Sequence, residues 1–402
     1  MSASPVTAEN RHESLDVLRG IAIMGILVMN IPFFFVPMEA MQSLTSDPLF
    51  TGASIDVWFY SHVFFDMKFI TLFSALFGAG IILMVGEEPD ASRKVHFSRM
   101  RWLLLIGLIH AYVIWYGDIL VSYAIFGMIA VYFRRMSVGK LLFWGLFWIA
   151  IAGLLFFAAL GAMALIPEDM SGTDIGIVPT PEAYQEVIAA YQAGGLERLG
   201  INAFGAFMGQ IMGAGLFGGR IIGVMFIGMA LFKLGFLTAK WDIARYALVA
   251  IIALPVGLAA SWWGGQHMIA AGFDFREFWV HTVVNYWSSL ATALGYAAVV
   301  MIICKLPFMK LIRYPFGCMG RMAFTNYLSQ SLTLVFLSIG GIGLGWFGEV
   351  SRVEMVQIVL AIWVAQLVVS TLWLQLFRFG PFEWLWRSLT YAKLQPLFKA
   401  RA

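Results

Sequence analysis

An all-α, polytopic membrane helix bundle of about ten transmembrane helices, with both termini cytoplasmic, is the fold class this sequence predicts. Three observations predict it. Of 402 residues, 61% are hydrophobic and 12% charged, with 15 Trp and 35 Phe, a balance far outside soluble norms. Many apolar runs approach or exceed the ~20 residues that cross a bilayer as a helix. The basic residues, finally, are one-sided. If both termini are cytoplasmic, the outer side keeps only Arg198, Arg276 and Arg352, while Lys68 and Arg220 lie inside spans. Every other Lys and Arg, from Arg11 to Arg401, then falls on cytoplasmic loops and ends, and loop Lys/Arg bias sets orientation.

The same composition excludes other classes. A formal charge of +3 is too small to imply nucleic acid, and Cys304 and Cys318 alone build neither a disulfide framework nor a Cys-based metal site. No metal is expected. The first apolar run, Gly20 to Val36, follows Arg11 and Arg19 and lacks a small-residue cleavage pattern, so it reads as a retained span rather than a cleaved signal. With no internal repeat or low-complexity tract, residues 1–402 read as one integral membrane domain.

The first span, 18–36, opens with Asp16 and Arg19 at i,i+3, an ion pair at its mouth. Asn30 lies ~16 Å beyond Arg19 at helical rise, and Pro32 frees a backbone carbonyl there. The second span, 62–85, places His62 and Asp66 at i,i+4 on one helix face, with Lys68 nearby. Spans three and four, 102–117 and 119–133, share only the stretch between Arg101 and Arg134. Each is therefore ~22 Å long against a ~30 Å hydrocarbon core. Their Trp115-Tyr116-Gly117-Asp118 corner is thus submerged, where irregular backbone survives only in protein or beside a wet cavity. His110 lies ~13 Å past Arg101, close to the midplane. It reads either as part of a cavity wall with Asp118, or as a histidine satisfied by a neighbouring helix while Asp118 caps span four.

Span five, 141–165, leads to an outer segment, 166–200, rich in acids such as Glu168 and Glu182 and containing a short amphipathic helix. Span six, 207–232, needs a break around Gly213 to Gly219, because 201–233 is too long for one crossing at ~50 Å. Gly205, Gly209 and Gly213 recur every four residues, a packing pattern, and Arg220 falls in the outer half. Span seven is 246–265; span eight, 282–304, begins from outside with His281 and Asn285 at i,i+4. Span nine, 322–347, opens with GRMAFTNYLSQS, where Arg321 precedes a stripe of Asn326 and Gln330 that serves either as helix glue or as a donor site. Span ten, 355–377, runs into a cytoplasmic interfacial tail, 378–402.

The stretches RHESLDVLRGIAIMGILVMNI, KFITLFSALFGAG, IHAYVIWYGDILVSYAIFG, GRMAFTNYLSQS and GPFEWLWRSLTYAK together resemble the YeiB-like bacterial membrane proteins, the domain of unknown function 418. More distantly the chain is similar to the transmembrane acyltransferase superfamily, whose members use a cytosolic acyl-CoA and modify an acceptor on the far side. Acyltransferase-three enzymes carry an Arg, ten residues and a His in the first span. Here Arg19 is followed after ten residues by Asn30, as in the heparan-glucosaminide acetyltransferase branch. That branch places its catalytic His shortly after the first span, whereas this sequence has none between His12 and His62.

Two functions are carried forward. The first is transfer of an acyl group from acyl-CoA, such as acetyl-CoA, to an extracytoplasmic acceptor. His110 or His62 is the expected base, oriented by Asp118 or Asp66, with Asn30 as oxyanion donor. His110 is expected to meet Asn30 where an inner and an outer chamber join. Arg19, Arg321, Asn326 and Gln330 are expected on the donor side, and Arg220, Lys68, Trp115, His281 and Asn285 on the acceptor side. The alternative is a transporter of a small molecule through the same polar cavity. Expected partners are membrane lipids and a small-molecule, glycan or lipid acceptor, with no nucleic acid and a homodimer left open. The expected location is the bacterial inner membrane.

Overall fold

The computed structural model describes residues 12–41, 43–88, 93–167, 169–174 and 176–399. Arg11, Glu168 and Arg401, assigned above to loops and ends, lie outside the described residues. Each expected span is helical. The first is α1 (Glu13–Asn30), continued by a single turn, α2 (Pro32–Phe35); the second is α3 (Ala53–Phe64) and α4 (Lys68–Val85). Then come α5 (Lys94–Ile109), α6 (Leu120–Ala130), α7 (Val138–Gly161), the amphipathic α8 (Pro181–Ala193), and α9 (Gly195–Met212) followed by α10 (Gly218–Lys233). The last third holds α11 (Ile243–Ala270), α12 (Phe278–Lys305), α13 (Lys310–Arg321), α14 (Ala323–Ser338), α15 (Arg352–Leu376) and the interfacial α16 (Pro381–Tyr391). Among the described residues the only β pairing is an isolated bridge, Phe377–Phe398.

Among the described residues, seven segments are long and apolar enough to cross a bilayer, and α9 with α10, bent by 59°, makes an eighth if the pair is one span. This is fewer than the ten expected. Leu120–Phe133 and α14, of 16 residues, are helices of only ~21–24 Å, below the ~30 Å core. The break expected near Gly213 is a π-helical turn, Gly213–Phe217.

Burial separates centre from rim. In the most apolar stretch of each crossing, 61% of residues are buried for Ala53–Val85 and 56% for Glu13–Phe35, against 22% for α11. Helices α1, α4 and α12 therefore form the core, and α7, α11 and α15 turn Leu154, Ile251 and Val364 outward, as a lipid solvent requires. Closest approaches use glycine. A Cβ at Gly228 on α10 would overlap the Ala75 carbonyl of α4, and one at Gly320 on α13 the Asp16 carbonyl of α1, so these backbones touch directly.

Helix ends collect on two faces. On the first, Lys233 bonds Glu87 at 2.7 Å, Lys305 the Ala239 carbonyl, Arg313 bonds Glu13 at 3.0 Å, and Arg134 the Gly86 carbonyl. This basic face carries both ends of the described chain. The opposite face holds Arg276, bonded to the Ile166 and Pro167 carbonyls, and Arg198, bonded to Val113 and Ile114.

Candidate functional site

A cavity of about 990 Å³ lies within the half of the bundle opposite the basic face, walled by α1, α3, α4, α10, α12 and α15. Most of its lining is hydrocarbon, including Ile26, Val28, Met29, Val356 and Leu360. One wall is polar and carries Asn30, His62, Asp66, Thr71, Arg220 and His281. Pro32 has no N–H to offer the Val28 carbonyl, and Val28, Met29 and Asn30 all face this space.

The local sequence explains the polar wall. Helix α3 ends at Phe64 and α4 begins at Lys68, and between them Met67 takes φ +61°, a conformation costly for a side-chain-bearing residue. This break leaves Asp66 at the cavity, within reach of the side chain one turn earlier: His62 Nδ1 lies 3.2 Å from Asp66 Oδ2. Asn285 Nδ2 donates to the same carboxylate oxygen at 2.8 Å, and Asn285 Oδ1 accepts from Lys68 Nζ and from Ser261 Oγ. Lys68 also donates to the His62 carbonyl at 2.7 Å. Lys68, Asn285, Asp66 and His62 thus form one chain of hydrogen bonds. Its end is His62 Nε2, buried with no partner among the described residues. With Nδ1–H held by Asp66, Nε2 keeps its lone pair, the form a base requires.

Aromatic groups fix the ring: Trp58 stacks on His62 at 5.5 Å and His281 meets it edge-on at 5.2 Å. Arg220 donates to the Tyr286 carbonyl at 2.7 Å, Thr71 Oγ1 at 3.0 Å and Ser289 Oγ at 2.8 Å, and lies over the Tyr286 ring. All these hydrogen-bond partners are neutral. Packing is tight at the inner end of the cavity. Phe69 packs so tightly on Gly25 that a Cβ there would overlap its ring, and Leu18, Ile23, Leu72 and Leu76 lie buried in the surrounding core.

Asp118 and His110 stand apart from the cavity that His62, Asp66 and Arg220 line. His110 Nδ1 and Asp118 Oδ2 meet at 2.7 Å, each side chain 1% exposed, and neither lines the cavity; only the next residue, Ile119, does. The expected meeting of His110 and Asn30 is corrected likewise, since Asn30 is on the cavity and His110 is not. Trp115 packs beside His110. It stacks on Phe34 at 4.4 Å, folds against Gly117 where a Cβ would overlap its ring, and covers His110 edge-on at 6.3 Å. Asp118 Oδ1 accepts from Val121 N at 2.9 Å, the helix cap that the sequence left as one alternative.

The submerged corner is satisfied by α9. His110–Ile114 forms a π-helical turn. Asn202 donates to the Ala111 and Tyr112 carbonyls at 2.9 and 3.1 Å and accepts from Tyr116 N at 2.9 Å, while Arg198 takes the Val113 and Ile114 carbonyls. Asn202 was not among the sequence candidates, and Arg198 was read only as an outer-loop charge. Gly205 packs over the Tyr116 ring, as the glycine spacing implied.

The remaining candidates lie elsewhere. Asn326 donates to Ser370 and to the Met319 carbonyl, both at 3.1 Å, and Gln330 to Gln366 at 2.8 Å. Both are buried between α14 and α15 as helix glue, and neither lines the cavity. Arg19 pairs with Asp16 at 3.0 Å and shares a neighbourhood with Arg99, Arg387 and Glu383; Arg321 reaches the Arg378 carbonyl at 3.4 Å. Glu383, another residue absent from the candidates, accepts from Phe324 N at 2.7 Å and Thr325 N at 3.0 Å, capping α14 from α16. No cluster of metal-ligating groups occurs among the described residues.

Comparison with known proteins places these features in a family. The family model described as "Protein of unknown function (DUF418)" matches residues 231–393. The chain is 30% identical over 398 residues to the Escherichia coli K12 protein named "Uncharacterized protein YeiB", covering 96% of this chain and 98% of the relative. It is 30% identical over 412 residues to "Uncharacterized protein YxaH" of Bacillus subtilis 168, covering 99% and 98%. A 39.9 kDa protein from the amylase 3′ region of Bacillus acidopullulyticus is 24% identical, covering 98% and 97%.

Proposed function

This chain belongs to the DUF418 family of YeiB-like bacterial membrane proteins, and on that premise we propose that it moves an acyl group from a cytosolic acyl-CoA to an acceptor on the far side of the inner membrane. The observation that carries the reading is the His62–Asp66 pair, with its bare Nε2 beside the cavity. Its chemistry is that of a general base: His62 Nε2 takes the proton of an acceptor hydroxyl or amine as the acceptor oxygen or nitrogen bonds the thioester carbonyl carbon. The carbon–sulfur bond breaks, and the thiolate of CoA leaves to be protonated. Asp66 holds His62 in the right tautomer and favours the imidazolium, and Asn30 is the donor for the developing oxyanion.

The basic face suits the donor's phosphates. Arg19, Arg99, Arg321 and Arg387 belong to the helix ends there, and Arg19 lies only ~9 Å along α1 from the cavity floor at Gly25. The packing of Phe69 on Gly25 favours acyl transfer over transport, because a transported solute would need that contact to open, whereas only an acyl group has to pass it in the transfer reading. His62 rather than His110 is taken as the base, since His62 lines the cavity and His110 does not.

The test compares wild type, His62→Gln and His110→Gln, matched for melting temperature and reconstituted in bacterial polar lipid with radiolabelled acetyl-CoA. His62→Gln is expected to lower CoA release by roughly 10²–10⁴-fold, the usual worth of a general base, and His110→Gln by far less. Equal rates for wild type and His62→Gln would remove the base.

A further inference from the structure

The cavity wall does not end inside the bundle. Tyr60 on α3 and Val353, Val356 and Leu360 on α15 line it and are also 37–50% exposed. Helices α3 and α15 pack against each other, and the exposed apolar area of these lining residues marks the α3–α15 seam as the side on which the cavity comes nearest to hydrocarbon. The lining of α15 runs from Arg352 to Trp363, ~16 Å of helix, about half of the ~30 Å core. That lining therefore has the length of one leaflet.

At its polar end sits Arg352, 5% exposed, lining the cavity. Its Nε has no hydrogen-bond partner among the described residues, and Nη2 reaches only Met41 Sδ at 4.0 Å. Its charge lies over the Phe50 ring at 5.9 Å, and the nearby Asp47, which favours that charge, accepts at Oδ1 from Leu49 N and Tyr184. A buried guanidinium with open donors at a helix end matches a phosphate oxygen.

We propose that the cavity takes an anionic membrane lipid from the leaflet opposite the basic face. Its phosphate meets Arg352, and its hydrocarbon chain enters between α3 and α15 to lie along Val28, Met29, Val356 and Leu360. Resting on the acyl-transfer reading, this makes the acceptor a lipid whose headgroup carries the reacting hydroxyl or amine toward His62.

The test is photolabelling of the purified full-length chain in phosphatidylcholine vesicles containing diazirine-bearing phosphatidylglycerol or, separately, diazirine-bearing phosphatidylcholine. The anionic probe is expected to label peptides spanning 28–33 and 353–363. Leu360→Trp, which fills the passage, and Arg352→Gln, which removes the phosphate's partner, are each expected to lower that label about tenfold, a change of the size one charge-assisted hydrogen bond produces. If Leu360→Trp fails to fold by melting, Val28→Phe fills the same space from the other wall. Excess inorganic phosphate leaves the labelling unchanged. Label spread over outward faces such as α11, equal for both probes, or displaced by inorganic phosphate overturns the proposal. Occupancy is read without acyl-CoA, so a protein that takes the label but transfers nothing sinks only the acyl-transfer reading. One that transfers acyl groups without taking the label sinks only the lipid.

Discussion

The side chains that matter most here differ in how openly the sequence displays them. His62 and Asp66 were legible because i,i+4 spacing puts two groups on one helix face whatever the rest of the chain does, and their 3.2 Å contact follows. Asn202 was invisible for the opposite reason. Its partners are backbone groups of Ala111, Tyr112 and Tyr116, far away in sequence, and nothing in the spacing of a lone helical Asn announces a distant carbonyl. Glu383 is a similar case and carries a pH signature. Burial lifts its carboxyl above the ordinary 4.5, against hydrogen bonds from Thr325 and Phe324 that pull it down. A raised folded-state value means its contribution to stability is complete below the ordinary value and is lost as pH rises through the folded one. Glu383→Gln does not titrate, so the melting temperature of wild type relative to the variant is expected to fall from about pH 4 to about pH 8. A margin that grows over that range would contradict the assignment.

At the scale of helices, apolar length gave every crossing its approximate place, while register and depth came only from contacts. The break in α9–α10 was legible because one helix of that length overshoots the membrane; its form, a π-helical turn with a 59° bend, was not. The joining of α4 to α10 depends on backbone approach and is directly testable. Gly228→Ala puts a methyl against the Ala75 carbonyl, whereas Gly80→Ala on α4 meets nothing within 4 Å. The first is expected to destabilise by about 1–3 kcal/mol, the usual cost of overpacking, and the second to be near neutral. Thermal melts of the detergent-solubilised variants would read the difference, and equal melting temperatures would mean that the two helices can separate without loss.

For the molecule as a whole, the basic-residue asymmetry led to the two-faced bundle, and the pairing of Lys233 with Glu87 and Arg313 with Glu13 gathers helix ends distant in sequence onto one face. That face is expected to be cytoplasmic, with both termini on it. A reporter fused after Leu385 should be active only in its cytoplasmic form; activity of the exported form alone would invert the molecule. What the sequence concealed was the division of the polar interior. Depth estimates place residues along the membrane normal but not around the bundle, so they could not tell that His62 lines the cavity and His110 does not. The Phe69 ring seated on Gly25 has a further, electrical consequence. A polar cavity reaching deep into a bundle threatens to short-circuit the membrane, across which each 100 mV is worth about 2.3 kcal/mol per elementary charge. An aromatic ring packed on Gly25 narrows any path from the cavity toward the basic face. Under the proposed mechanism, the proton taken up at His62 is then expected to leave on the side opposite that face, without draining the cell's ion gradient.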